Sequence, residues 1–210
     1  LAGWFAAGYS GTIVPVWANL LLFVLIYLTV YATSMIYASL KTVARWYHPL
    51  TPVCYLMFAA AGGLLAALAM LALLGLPITA ALAQAGIVLM LSAWGVKLAW
   101  WRLAGMARHA GSVESATGLG HLGTVKPLMP PHTEENYLQH EMGFVVARKH
   151  ADKLRIFAIG LGGVLPIIVL LVAPASAAAL GFAVFSHVAG MFVERWLFFA
   201  EAKHVVTLYY

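Results

Sequence analysis

Residues 177–203 read AAALGFAVFSHVAGMFVERWLFFAEAK, and the fold turns on this stretch. From Ala177 to Phe199 it is apolar apart from a few positions. At about 1.5 Å per helical residue it is long enough to cross a hydrocarbon core of about 30 Å. His187 lies near the middle of this span, Glu194 two turns further on, and Glu201 at its end. The spacing i, i+7, i+14 drifts by only about 20° per heptad, so the three side chains share one face of a helix. Arg195 and Lys203 are expected on another face. An ionisable group inside a membrane span is costly and is a functional candidate by default.

The rest of the chain extends the pattern. It is 63% hydrophobic and 9% charged, with mean hydropathy +0.92, against about 25% charged residues in a soluble domain. The fold class is therefore all-α, a polytopic transmembrane helix bundle. Five spans are expected, at about 16–40, 52–74, 80–101, 154–172 and 177–199, the last with room to run on to Tyr210. Gly62 and Gly63 among alanines give a surface for close helix approach. Trp94, Trp100 and Trp101 are expected as an interfacial belt, with Lys97 snorkelling out between them. Gly160, Gly162, Gly163 and Pro166 predict a kink. Between the third and fourth spans lies the polar segment 102–153. Residues 110–131 read as irregular loop, Thr133 as a helix cap, and 137–153 as an amphipathic helix on the membrane or under a partner. The chain starts at Leu1 in apolar sequence and is expected to continue upstream.

Threaded through a bilayer in this way, all twelve Lys and Arg and all seven Asp and Glu fall at one face. The other face receives residues 1–15, 75–79 and 173–176, which carry no charge. The positive-inside bias makes the charged face cytoplasmic, in a bacterial inner membrane. The same bias accounts for the net charge of +5 without nucleic acid. A single cysteine, Cys54, excludes an internal disulfide and an iron–sulfur cluster held by this chain's own four thiolates.

The stacked His187, Glu194 and Glu201 could carry protons from the charged face toward a mid-membrane or interfacial site. The bland reading pairs Glu194 and Arg195 with neighbours in the interface and hydrogen-bonds His187 to an adjacent helix. Of eight histidines only His187 is clearly within a span, so no bis-histidine haem is expected. The others lack metal-ligand spacing, so no metal is expected either. Aromatic residues gather at the charged face: Tyr37, Trp46, Tyr47, Trp94, Trp100, Trp101, Trp196, Phe198 and Phe199. An interfacial belt explains them, and a flat apolar slot for a quinone head group would use them.

Three stretches carry a resemblance. The first is Thr33–Lys41 followed by Ala44-Arg45-Trp46 and Pro49-Leu50-Thr51-Pro52. The second is Glu141-Met142-Gly143-Phe144 with Ala147–Arg155. The third is Glu194–His204. In this order they resemble the membrane anchor subunit of the dimethyl sulfoxide reductase family of molybdenum oxidoreductases, and are most similar to its cytoplasmic sulfite dehydrogenase branch. The resemblance implies an eight-helix anchor, of which these would be the C-terminal five helices. It implies a quinone site but no metal of the chain's own, a four-cluster iron–sulfur partner, and a molybdopterin catalytic subunit held through that partner. The family's quinone-site acid lies upstream of the stretches matched here.

The function expected is thus a quinone-interacting anchor passing electrons between an iron–sulfur subunit and ubiquinone or menaquinone, with sulfite oxidised. The candidates for quinone binding or proton uptake are His187, Glu194, Glu201, Arg195, Trp196, Tyr37 and Trp46. The candidates for docking the partner are Glu141, Arg148, Lys149, Lys153 and Arg155. The rivals are a quinol-oxidising anchor of a reductase, a structural anchor without a quinone site, and a small transporter. A transporter would need a polar path to both faces, which the uncharged end does not offer.

Overall fold

A computed structural model describes residues 15–106, 112–126, 128–129 and 145–203. The described residues hold helices and turns and no strand. The helices are α1 (Val16–Ala38), α2 (Leu50–Leu73), α3 (Ala80–Gly105), α4 (Val113–Thr117), α5 (Val145–Lys149) and α6 (Ala151–Ile159). A π-helical turn over Gly160–Val164 joins α6 to α7 (Leu165–Val172), and α8 (Ala177–Ala200) follows. Five segments are long and apolar enough to cross a membrane: α1, α2, α3, the continuous run Ala151–Val172, and α8.

Some boundaries differ from expectation. α3 runs on to Gly105, and the fourth span starts at Ala151. The surface helix expected over 137–153 is broken: α5 ends at Lys149, His150 leaves helical geometry, and Asp152 and Lys153 belong to the spanning helix. The short helix α4 interrupts the expected loop, because Ser112 caps it and Ser115 completes the capping box. α8 stops at Ala200. Residues 204–210 and the cap expected at Thr133 lie outside the described residues.

At the uncharged end the turns Leu74–Thr79 and Ala173–Ser176 are short. Both following helices begin on a hydroxyl cap: Leu82 N–H donates to Thr79 Oγ1 at 3.3 Å, and Ala179 N–H to Ser176 Oγ at 3.3 Å. The first N–H groups of a helix have no intrahelical acceptor, and each of these hydroxyls supplies one.

The core lies where α2, α3, the fourth span and α8 meet, around Leu65, Leu68, Met90, Ala93, Leu170, Leu180 and Ala183. α1 packs on α2 and presents most of its residues outward, Ser34 being its buried position. Trp94, Trp100 and Trp101, expected as an outward belt, point into the bundle and are buried. Trp94 fills the space beside Gly162 and Gly163, where an added Cβ would lie 2.7 Å from the indole. Indoles that find glycine holes pack between helices instead of sitting at the lipid surface.

The closest helix crossing is backbone on backbone. A Cβ at Gly190 would overlap the nitrogen and the Cα of Gly162. Neither atom can retreat, so Gly190→Val forces α8 away from the π turn and costs about 3 kcal/mol. Gly181 has open space around its Cα, so Gly181→Ala is neutral or gains up to about 1 kcal/mol. Thermal melting of both variants in detergent is expected to show a large drop for Gly190→Val and none for Gly181→Ala.

Candidate functional site at the charged end of the bundle

Glu194 is fully buried, and two cations converge on it. Lys97 of α3 reaches across to Glu194 Oε1 and forms an ion pair with it. Arg195 curls back along its own helix, donating Nε to Glu194 Oε2 at 2.5 Å and Nη2 to Oε1 at 2.9 Å. The Lys97 side chain is 1% exposed and that of Glu194 0%. Aromatic faces surround the group. Lys97 Nζ lies 3.8 Å from the Trp100 ring centroid and 5.2 Å from that of Trp101. The Arg195 guanidinium lies 4.3 Å from the Tyr55 centroid and 4.8 Å from that of Phe198. Rings of this kind attract cations most strongly when water is excluded.

Two sequence expectations are corrected here. Lys97 does not snorkel to the surface, because an inward carboxylate offers a partner in a medium where the attraction is little screened. Arg195 is not separated from Glu194 by facing another way, since its long side chain spans the difference in direction.

One carboxylate and two cations leave this inner cluster one positive charge in excess. Arg195 Nη1 has no acceptor in hydrogen-bonding geometry among the described residues. The Arg195 side chain is 26% exposed, so of the three it alone opens toward the surrounding medium.

Glu201 anchors a second, outer cluster. Arg45, from the turn between α1 and α2, lies 2.9 Å from Glu201 Oε2. Arg155 of α6 pairs with Glu201 Oε1 and reaches Asp152 at 2.8 Å. Burial lowers the Arg45 pKa, and Glu201 pushes it back up. Trp100 stands between the clusters, with Lys97 on it and Arg45 at 5.4 Å. Trp101 likewise takes Lys97 at 5.2 Å and Arg155 at 5.6 Å. Trp100 is held by its Nε1, which donates to Thr51 Oγ1 at 3.0 Å, and Thr51 in turn donates to the Trp46 carbonyl at 2.9 Å. Nearby, the Leu50 N–H donates to His48 Nδ1 at 3.2 Å, and burial lowers the His48 pKa.

His187 belongs to neither cluster. Pro166 has no N–H to offer the Gly162 carbonyl, and Leu165 N–H goes to Gly160 instead of Leu161. Two carbonyls are therefore freed, and α8 supplies donors to both. Ser186 Oγ donates to Leu161 O at 2.7 Å, and His187 Nδ1 is 2.6 Å from Gly162 O. On the far side, the His187 Nε2 occupies room left by Gly62, where a Cβ would lie 2.9 Å away. His187, Glu194 and Glu201 do share a face, but seven residues of helix separate successive levels by about 10 Å. Each has its own partners, so they do not form a hydrogen-bonded chain.

The aromatic candidates divide. Tyr37 and Trp46 come together, with ring centroids 5.1 Å apart, and both meet Phe198 and Phe199 at 5.3–5.8 Å. Tyr37 stacks with Tyr55 at 6.0 Å. Trp46 Nε1 also donates to the Phe198 carbonyl at 3.0 Å. Trp196 is 47% exposed on the outer surface and is not part of this group.

Among the docking candidates, Arg148 is used within the chain. Its Nε donates to the Ala200 carbonyl at 2.8 Å and its Nη2 to that of Ala202 at 3.1 Å, so it caps the end of α8. Arg155 is tied into the outer cluster. Lys149 and Lys153 are exposed, and Glu141 lies outside the described residues. Among the described residues no group of three or more His, Cys, Asp or Glu could hold a metal ion.

Lys97, Tyr55, Phe198 and Arg45 were not singled out by sequence as a constellation. The signal for Lys97 was present, since a lysine three and four residues before two tryptophans and inside a span is as costly as a glutamate there.

No family model and no solved structure matches the chain. Among curated proteins it is similar to a sulfite dehydrogenase subunit of Allochromatium vinosum, with 32% identity over 207 residues. That alignment takes in 97% of this chain and 59% of the relative's length. What the chain resembles is thus one component of a sulfite dehydrogenase, of which it spans about three-fifths.

Proposed function

We propose that this chain is the membrane subunit of a sulfite-oxidising complex, and that it passes electrons from an iron–sulfur partner to a quinone at the charged end of the bundle. The observation that carries the reading is the fully buried Glu194 held by Lys97 and Arg195 beside the Tyr37, Tyr55, Trp46, Phe198 and Phe199 rings. The similarity to a sulfite dehydrogenase subunit supports sulfite as the substrate of the complex. A flat quinone ring suits aromatic walls, and its carbonyl oxygens suit an arginine donor.

In the proposed direction the catalytic partner, carrying a molybdopterin cofactor, converts sulfite and water to sulfate, two electrons and two protons. The two electrons cross an iron–sulfur subunit docked on the charged, cytoplasmic face. The quinone takes them up with two protons and leaves as quinol. Glu194 and Arg195 would line the approach to its head group, and Tyr37 and Tyr55 would bound it laterally. The outer cluster at Glu201 lies between this site and water. The positive-inside bias supports the cytoplasmic placement of that face.

With this assignment, Glu194→Gln is expected to lower sulfite-dependent quinone reduction by about tenfold or more while the partner subunits still co-purify. Normal turnover in that variant removes Glu194 from the mechanism.

The docking surface is tested separately. Lys149 and Lys153 are exposed near the start of the fourth span, whereas Arg148 is occupied at the end of α8. Reversing Lys149 and Lys153 to Glu is expected to release the iron–sulfur subunit at a salt concentration that leaves the native complex intact. Retention of the partner at that salt by the double variant refutes the assignment. Arg148→Glu is expected to lower the melting temperature of the chain itself.

A further inference from the structure

The inner cluster has more positive than negative charge in a place where neither is easily solvated. Lys97 and Arg195 contribute two cations, Glu194 one anion, and the Lys97 and Glu194 side chains are 1% and 0% exposed. Around them stand Tyr55, Trp100, Trp101 and Phe198, whose ring faces soften the charge without cancelling it. The carboxylate nearest in sequence on the same helix face, Glu201, is taken by Arg45 and Arg155. It sits about two helical turns nearer the helix end, so it does not supply the missing negative charge. Arg195 Nη1 is buried and has no acceptor among the described residues. A buried cluster with one formal positive charge in excess, its guanidinium against Tyr55, is an electrostatic site for an anion.

We infer that this surplus charge stabilises the anionic, one-electron-reduced form of a quinone, with Arg195 as the donor to its oxygen and Lys97 as a positioning residue acting through the field. The inference rests on the function proposed above and deepens it at the same site. In the step concerned, an iron–sulfur cluster of the partner gives up one electron and is oxidised by one. The quinone gains that electron and becomes the semiquinone anion. No bond forms or breaks and no proton moves. Two charges of opposite sign within about 7 Å, at an effective dielectric constant of about 20, attract strongly enough to shift such an equilibrium by more than about tenfold.

The signs of the variants separate this role from a structural one. Lys97→Met brings the cluster to zero, and Arg195→Gln does the same by another route. Glu194→Gln raises it to two positive charges. The experiment uses the intact complex in native membrane vesicles, with decylubiquinone as the probe, poised stepwise with sulfite and followed by electron paramagnetic resonance. The native complex is expected to show a semiquinone radical. Lys97→Met and Arg195→Gln are each expected to lower its maximum amount at least tenfold, Lys97→Arg to retain it, and Glu194→Gln to raise it. A structural role would move all the variants downward together. The inference is overturned if the native complex reduces quinone without a detectable radical, if Glu194→Gln and Lys97→Met shift it in the same direction, or if none of them shifts it. Absence of sulfite-dependent quinone reduction by the native complex instead sinks the proposed function, and this inference with it. Should Lys97→Met fail to assemble, Arg195→Gln tests the same sign from the partly exposed side of the cluster.

Discussion

A carboxylate inside a membrane protein cannot be left alone, and the position of Glu194 sets the rest of the charged end. Its only remedy in a medium of low dielectric is close opposite charge. α3 crosses α8 at the height where Lys97, in the fifth turn of α3, reaches it. The aromatic side chains follow from the same demand. Two adjacent tryptophans turn inward because each can place a ring against Lys97 on one side and an arginine of the outer cluster on the other.

Mid-bundle, the fourth span solves a different problem with the same economy of partners. Proline and three glycines would ordinarily weaken a helix. Here they open a π turn whose two orphan carbonyls meet Ser186 and His187 on α8, and the glycines let the backbones touch. The polar contacts and the close approach depend on each other, since only a glycine pair brings α8 near enough for short side chains to reach those carbonyls. His187 is thereby accounted for as a donor between helices. The proton-carrying role suggested by its spacing finds no hydrogen-bonded continuation toward Glu194.

Most of the architecture was legible in the sequence because lipid enforces it. Apolar runs of sufficient length and charge confined to alternate connections both have direct physical causes. The kink at Gly160–Pro166 was readable too, for the missing N–H is a property of the residue. What could not be read was which way a long side chain would turn. Lys97 and Arg195 each have enough reach to choose between water and a buried partner, and that choice depends on the crossing of α3 and α8. The outward belt assigned to Trp94, Trp100 and Trp101 failed for the same reason, as the holes they fill are made by glycines and cations far away in sequence. Arg148 looked like a free docking charge, and only the end of α8 beside it shows where its donors go.

Stability alone is a poor reason to retain three charges at Lys97, Glu194 and Arg195. Well-packed apolar side chains of similar volume commonly hold a buried site as firmly as an ion pair does, or more firmly. A pair without surplus would also have satisfied Glu194, since Arg195 already gives it two hydrogen bonds. Lys97 is the addition that structure does not require, and it raises the cost of the site by leaving positive charge uncompensated. Such a cost is understandable where the chemistry itself brings negative charge. On the function proposed, an electron arriving on a neutral quinone ring beside Arg195 would create that charge, and the field that is unfavourable in the resting state would then favour the reaction.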